Sequence, residues 1–203
     1  GLSYAVIASL PLLVLLAVLS GPIADILANG ELRHSALIAP LATCLAVVAV
    51  AQLAGGVSDL GSQALYARLD DRIPRRASEV NLGVTVLLAA ATLFVPAGGS
   101  RLVWLVVAIL AGELAAAAMV LTRLRRVIRP ERFLELRTLG SALVATAAMA
   151  PVTAAAWWVQ HAHHGGQLST LAVLALGGTV ALGVYALVLR AVMARPSLLG
   201  FLD

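Results

Sequence analysis

Apolar residues fill six long runs of this chain, and polar residues collect in the short stretches between the runs. Each run is close to the roughly 20 residues that an α-helix needs to cross a hydrocarbon core about 30 Å thick. The pattern therefore predicts an all-α polytopic membrane helix bundle with six transmembrane helices. The predicted spans are Tyr4–Leu19, Ala36–Val57, Val80–Val95, Leu102–Thr122, Leu139–Val159 and Leu168–Met193.

Composition agrees with a membrane protein and excludes an ordinary soluble domain. The chain is 61% hydrophobic and 12% charged, with a mean hydropathy of +0.98, whereas soluble domains are about 25% charged. All 14 basic residues are arginines in a chain with a pI near 10.2. These arginines flank the predicted spans, so we interpret them as orientation determinants and predict no nucleic-acid partner.

Two features modify the simple picture of six straight spans. Ser20–Ser35 follows the first span and carries apolar residues at helical spacing, which predicts a short interfacial helix ended by Gly30. Pro11 and Pro151 lie inside the first and fifth spans. Each proline removes a backbone hydrogen bond, so we expect a kink at each.

The arginines predict the orientation of the bundle. With alternating spans, 12 of the 14 arginines fall on one side, and only Arg33 and Arg101 fall on the other. The positive-inside rule places that richer side, and both chain ends, in the cytoplasm. Trp104, Trp157 and Trp158 fall at the opposite ends of their spans, where an interfacial aromatic belt is expected.

Glu113 is the sharpest candidate residue, because it lies near the middle of the fourth span. A charged side chain at that depth costs about 2.5–3.5 kcal/mol on insertion scales, and it normally faces a cavity or a partner. One interpretation is a contact for a proton, a cation or a substrate. The other is a protonated carboxyl group bonded to a neighbouring helix.

A second candidate is a polar stripe on the second span. Gln52, Asp59 and Gln63 are spaced 7 and 4 residues apart, which places them on one face of a helix. Such a stripe lines either a polar cavity or a solvated helix end. Glu79 and Asn81 open the third span, and Glu79 is expected to pair with Arg75 or Arg76 as an interfacial anchor.

The chain shows no catalytic or cofactor-binding motif, and we predict no cofactor. The run Gln160–His164 contains three histidines, but neither a carboxylate nor a cysteine lies beside them to complete a ligand set, so we predict no metal site. Asp70 and Asp71 lack the further aspartate that a polyprenyl-diphosphate magnesium site would need. Cys44 is the single cysteine, so no intramolecular disulfide can form.

A charged elbow between the second and third spans carries a family resemblance. Its residues Tyr66, Ala67, Asp70, Arg72 and Pro74 resemble the cytoplasmic elbow of the MurJ/MviN lipid II flippases, in the multidrug/oligosaccharidyl-lipid/polysaccharide exporter superfamily. There a helix ends in a pattern like Tyr-Ala-x-x-Asp-x-x-Thr-Pro. Here Ile73 replaces the threonine, and Asp71 adds an acid. The run Leu10–Pro22 is also similar to the family's ninth helix.

The resemblance covers the chain loosely from end to end and implies that residues 1–203 are the C-terminal lobe of a fourteen-helix, two-lobed transporter. Such a protein flips lipid II across the bacterial cytoplasmic membrane by alternating access. The implied partners are the lipid-linked oligosaccharide, membrane lipids, a missing N-terminal lobe and, as in some relatives, a cytoplasmic kinase-like domain. The positions that would match a sodium site of some members are Thr85 and Ala89, and alanine cannot coordinate.

Other functions stay open at this point. The chain could belong to another branch of the superfamily, exporting O-antigen-type polysaccharide lipids or drugs. A polyprenyl-lipid membrane enzyme would require Glu113, Asp59, Asp70 and Asp71 to converge. A structural module that recruits partners through its arginine-rich loops is a third alternative.

Overall fold

The computed structural model describes residues 2–27, 36–127, 136–162 and 167–194, and these residues are almost entirely helical. No β-strand occurs in these ranges. A 3-10 turn, Thr92–Phe94, extends the fourth helix. The seven helices are α1 (Leu2–Val18), α2 (Ser20–Leu27), α3 (Ile38–Tyr66), α4 (Arg72–Ala91), α5 (Gly99–Val127), α6 (Leu136–Ala162) and α7 (Gln167–Ala194).

Five helical segments are long and apolar enough to cross a membrane: α3, α4 with its 3-10 turn, α5, α6 and α7. The α1 helix has 17 residues and qualifies only together with α2, from which it is bent by 67°. The described chain therefore has five spans, or six if the bent pair counts as one. The all-α membrane bundle predicted from the hydropathy pattern is confirmed, and the chain is a multi-pass membrane protein.

The predicted helix after the first span is present as α2, although Gly30, its predicted terminator, lies outside the described residues. The α1 and α6 helices continue through Pro11 and Pro151. A sharp change of direction lies between α1 and α2, at Leu19, and the kinks expected at the two prolines stay predictions.

The helices extend past the predicted spans. The span predicted to end at Val57 continues as helix to Tyr66, and the span predicted to begin at Val80 starts at Arg72. Hydropathy locates the part of a helix that fits the hydrocarbon core, but backbone hydrogen bonding continues into the polar zone. At 1.5 Å per residue, the 29 residues of α3 reach about 44 Å, which is longer than the core is thick.

The bundle consists of two helix groups joined by α1. In the first group, α3, α4 and α5 pack on one another; in the second, α6 packs on α7 and on α1, which also contacts α3. The first group buries an apolar core of Leu65, Ala77, Ala116, Val120 and Leu124. The second buries Ile7, Leu15, Leu19, Ala142, Ala145, Met149, Ala181 and Tyr185.

Small residues set the distance between α3 and α5. A Cβ atom on Gly61 of α3 would clash with the side chain of Val120 on α5, so the two backbones approach as closely as glycine allows. Close approach of this kind supports helix association in a bilayer, where the hydrophobic effect between helices is absent. This packing leaves α5 central to the first group, with α3 and α4 on its flanks.

Pro11 leaves one backbone carbonyl of α1 without its helical donor, and a side chain of α7 supplies another. Proline has no N–H, so the carbonyl of Ile7, four residues earlier, loses its usual helical donor. The hydroxyl of Tyr185 on α7 donates to this carbonyl at 2.6 Å, and both residues are buried. The Tyr185 hydroxyl therefore satisfies the buried carbonyl that Pro11 leaves without a helical donor.

Arg101, on the arginine-poor side, has a structural role. Its Nε donates to the carbonyl of Thr92 at 3.1 Å, and its Nη2 donates to the carbonyl of Leu93 at 2.9 Å. These carbonyls lie where α4 ends, and the end of a helix leaves acceptors without helical partners. Arg101 therefore ties the start of α5 to the end of α4.

Candidate functional site

A polar cleft lies between α3, α4 and α5 in the middle of the first helix group. Its volume is about 290 Å³. The lining is rich in oxygen- and nitrogen-bearing side chains, which is unusual between membrane helices. These polar lining residues are Gln52, Ser58, Asp59, Ser62, Ser78, Asn81 and Glu113.

Short side chains on α3 open the cleft. Ala51, Gly55, Ser58 and Ser62 recur at spacings of three and four residues, so they share one face of the helix. A Cβ atom on Gly55 would lie 3.1 Å from Oε2 of Glu113. The carboxylate of Glu113 therefore rests directly against the α3 backbone, in space that a larger residue would occupy.

Glu113 on α5 is tied to α4 by a short chain of hydrogen bonds. Asn81 Nδ2 donates to Glu113 Oε1 at 3.0 Å, and Thr85 Oγ1 donates to Asn81 Oδ1 at 3.2 Å. Since Asn81 and Thr85 are one turn apart on α4, they form a continuous polar strip. This strip orients Glu113 toward α4 while its second oxygen lies beside α3.

Gly112 makes the hydrogen-bond chain possible. A Cβ atom at this position would collide with Oγ1 of Thr85 and Oδ1 of Asn81, and would lie 2.8 Å from the backbone oxygen of Asn81. Only glycine lets α5 approach α4 this closely, and Glu113 is its direct neighbour in sequence. The Gly112-Glu113 pair therefore combines close helix contact with a polar group.

The charged residues that line the cleft are both acidic. Asp59 and Glu113 contribute carboxylates, and none of the lining residues is basic. An acidic cleft with amide and hydroxyl groups suits hydroxyl, amide and cationic groups of a ligand. It does not suit a phosphate, which is recognised by arginine, lysine or backbone N–H groups.

Three of the four residues predicted for binding or coupling meet in this cleft: Glu113, Asp59 and Gln52. Gln63 is exposed and lies outside the lining. The neighbouring Ser62 lines the cleft instead.

Asn81, which was predicted only to open the third span with Glu79, is a partner of Glu113 within the cleft. The other member of that predicted pair, Glu79, does lie on an exposed surface, where its Oε1 accepts from Arg75 Nε at 3.1 Å. Ser58, Ser62 and Ser78 also line the cleft, and the sequence pattern did not predict them. The sequence signal that could have placed Asn81 in a polar strip is its spacing of four residues from Thr85.

The elbow closes the end of α3 with a left-handed turn. The N–H of Asp70 donates to the carbonyl of Leu65 at 3.1 Å, and the N–H of Leu69 donates to that of Tyr66 at 2.9 Å. This is the Schellman arrangement, which usually places glycine where the chain turns left-handed. Here Leu69 adopts φ 60°, and its side chain is 93% exposed.

Two contacts dock the elbow on the end of α5. Arg123 donates from Nε and Nη2 to the same oxygen of Asp70, both at 2.9 Å. Arg68 Nη1 donates to the carbonyl of Val127 at 3.2 Å. The arginine-rich elbow and the arginine-rich end of α5 therefore share one end of the bundle, as the predicted topology requires.

The predicted elbow motif divides into exposed and buried members. Tyr66, Ala67 and Arg72 are exposed, and Asp70 is half-buried in its ion pair. Pro74 is buried in the first turn of α4 and lines the polar cleft. The elbow and the cleft are thus adjacent parts of one structure, joined through Pro74.

The four carboxylates that an enzyme acting on polyprenyl lipids would need do not line one cavity. Asp59 and Glu113 line the cleft, whereas Asp70 and Asp71 line a separate pocket beside Arg123. Among the described residues, no three His, Cys, Asp or Glu side chains form a metal-binding group. The side chains of the histidine run at 160–164 lie outside the described residues.

Thr85 and Ala89, the positions that would match a sodium site, lie one turn apart on α4. Thr85 is engaged with Asn81, and Ala89 offers no oxygen ligand from its side chain.

No known protein-family model matches the sequence of this chain, and no curated protein matches it either. The resemblance to the flippase family therefore stays a prediction based on the elbow.

Proposed function

We propose that this chain is the C-terminal lobe of a lipid II flippase of the MurJ/MviN type, acting in the bacterial cytoplasmic membrane by alternating access. Both chain ends would be cytoplasmic, and a missing N-terminal lobe would complete the transport pathway. The observation that carries the proposal is the polar cleft around Glu113, which opens among apolar helices and adjoins the elbow that carries the family resemblance.

The chemistry of the cleft supports a role with the sugar–peptide part of the substrate. Carboxylate, amide and hydroxyl side chains bind sugar hydroxyl groups and peptide amides through directional hydrogen bonds. The cleft lining has no basic residue for the pyrophosphate. In this proposal the pyrophosphate is bound by arginines of the missing lobe, and the polyprenyl tail stays in the bilayer.

Glu113 is the residue most directly tied to transport in this proposal. Its carboxylate contacts α4 through Asn81 and lies against α3 at Gly55, so it touches both neighbouring helices. A change in its hydrogen bonding, by proton, cation or headgroup, would alter how the three helices pack. Such a contact can bias a two-state helix arrangement.

The test is complementation by the full-length protein in bacteria depleted of their own lipid II flippase. The variants are Glu113→Ala, Glu113→Gln and Asp70→Ala. The matched control is Glu79→Gln, an exposed carboxylate paired with Arg75 on the same helix group. We expect the wild type and Glu79→Gln to restore growth. Glu113→Ala should lower lipid II translocation at least tenfold at normal expression.

A wild-type protein that reaches the membrane but does not restore growth would overturn the assignment to lipid II. The second candidate is a drug exporter of the same superfamily that carries organic cations. The specific observation that favours it is the acidic cleft with its two carboxylates and no basic residue. Ethidium efflux from the same cells, lost in Glu113→Gln, would support that candidate.

A further inference from the structure

The elbow end of the bundle is strongly cationic. Among the described residues, seven arginines from the elbow, the start of α4 and the end of α5 lie there, against three acidic side chains, Asp70, Asp71 and Glu79. We call these arginines the elbow surface, and they are Arg68, Arg72, Arg75, Arg76, Arg123, Arg125 and Arg126.

A pocket of about 520 Å³ lies within the elbow surface. It is separate from the polar cleft, since the two share no lining residue. The chain's turn at Leu69 forms one wall, and the last turn of α5 forms the other. Three of the seven lining residues are arginines: Arg68, Arg72 and Arg123.

The three guanidinium groups keep donors that the described residues do not use. Arg68 Nη1 donates a hydrogen bond to the carbonyl of Val127, and Arg123 donates from Nε and Nη2 to Asp70. Arg72 is exposed and forms no hydrogen bond or ion pair with the described part of the chain. Each guanidinium carries five donors in a planar fork that matches phosphate oxygens.

The position of the pocket selects the source of the phosphate. The pocket lies at the ends of α3, α4 and α5, three helices that are apolar enough to span a bilayer. Lipid headgroups are present at this level, and the anionic lipids of a cytoplasmic leaflet attract arginines close to membrane helices. A resident lipid therefore meets this pocket at a far higher local concentration than a soluble phosphate does.

We propose that the elbow pocket is a binding site for the phosphate of an anionic phospholipid, with Arg72, which no described residue pairs, as its principal cation and Arg68 and Arg123 beside it. The site is independent of transport, because it uses neither the cleft nor Glu113. By bridging the elbow and α5, the bound lipid would hold together the same two elements that Arg123 and Asp70 join. Removal of the lipid would loosen this end of the bundle.

The test measures lipid binding to the full-length protein in detergent by native mass spectrometry. The probes are phosphatidylglycerol, phosphatidylcholine and inorganic phosphate. The variant is Arg72→Gln, and its matched control is Arg75→Gln. The control removes the same charge from the same helix, but Arg75 is paired with Glu79 and does not line the pocket.

We expect the wild type to retain phosphatidylglycerol over phosphatidylcholine, with at least fivefold weaker retention in Arg72→Gln and less than twofold in Arg75→Gln. Equal losses in the two variants would mean diffuse attraction to a cationic surface and would overturn the pocket. Displacement of the lipid by millimolar inorganic phosphate would point to a soluble phosphate and would overturn the lipid assignment. A matching circular dichroism spectrum and melting temperature ensure that each variant is folded.

Discussion

At the scale of single residues, this bundle depends on polar atoms that replace missing backbone partners. Arg101 supplies donors to the carbonyls at the end of α4, and Tyr185 supplies one to Ile7. The Ile7 carbonyl is buried between helices, where no water can take over the contact, so leaving it unpaired would be costly. Polar residues in the spans of this protein therefore have two different roles, backbone repair and cleft formation.

Tyr185→Phe is expected to destabilise the protein by about 1–2 kcal/mol, because it leaves the buried carbonyl of Ile7 without a donor. In a Pro11→Ala background the restored N–H of residue 11 can pair with that carbonyl. In this background Tyr185→Phe should then lower the free energy of unfolding by less than about half of what it does in the wild type. The measurement is the free energy of unfolding of the four proteins in mixed micelles containing increasing SDS.

The control for this double-mutant cycle is Tyr66→Phe. Tyr66 is 51% exposed, and its hydroxyl has no hydrogen-bond partner among the described residues. We expect its removal to change the free energy of unfolding by less than about 0.5 kcal/mol. An equal penalty for Tyr185→Phe with and without Pro11 would contradict the repair mechanism, since the hydroxyl would then matter for another reason.

At the scale of helices, the sequence predicted where spans lie better than where helices end. The third span was expected to begin at Val80, which placed Asn81 at an interface. The helix begins eight residues earlier, at Arg72, so Asn81 lies well inside it and meets Glu113. Hydropathy could not reveal this, because the first turns of α4 are charged and still helical.

The way in which the helices pack against one another could not be predicted from the sequence either. The spacing of Gln52, Asp59 and Gln63 predicted a shared helix face, but only Gln52 and Asp59 line the cleft, and Ser62 lines it where Gln63 does not. Which part of that face borders the cleft depends on contacts between helices, such as Gly61 against Val120. Such contacts depend on two distant segments at once, so a pattern within one helix does not encode them.

Gly112→Ala tests the closest contact between α4 and α5. A methyl group there would meet Asn81 and Thr85, including a backbone oxygen that cannot move aside, so we expect a loss of about 1–3 kcal/mol. Gly83→Ala is the matched control on α4, because a Cβ atom there meets nothing within 4 Å. It should be neutral, or stabilising by up to about 1 kcal/mol, since alanine favours helix.

The two glycine variants are compared by thermal unfolding in the same detergent. Changes of opposite sign in the melting temperature, or a clearly larger loss for Gly112→Ala, would support the packing described for Gly112. Similar effects for both variants would contradict it. Because Gly112 adjoins Glu113, the Gly112→Ala protein should also disturb the hydrogen bond between Asn81 and Glu113.

At the scale of the whole molecule, the two helix groups give the chain an asymmetric character. The group of α3, α4 and α5 contains the polar cleft and the elbow pocket, whereas the group of α1, α6 and α7 has an apolar core. The elbow surface lies at one end of the first group, and Trp104 lies near the other end of α5. This arrangement makes a definite prediction about orientation in the membrane.

The arginine distribution predicts that the elbow faces the cytoplasm and that the turn between α4 and α5 faces the opposite side. Single cysteines at Asp71 and at Ala97 mark these two ends, which are separated by the full length of α4 and its 3-10 turn. Both are placed in a Cys44→Ala background, because Cys44 is the sole native cysteine and is buried. A membrane-impermeant maleimide should label Ala97→Cys in intact spheroplasts, and it should label Asp71→Cys only after lysis.

Both residues are exposed, so accessibility within the fold does not limit labelling. The reverse pattern would invert the topology, place the elbow surface away from the anionic cytoplasmic leaflet, and remove the positional argument for its lipid site.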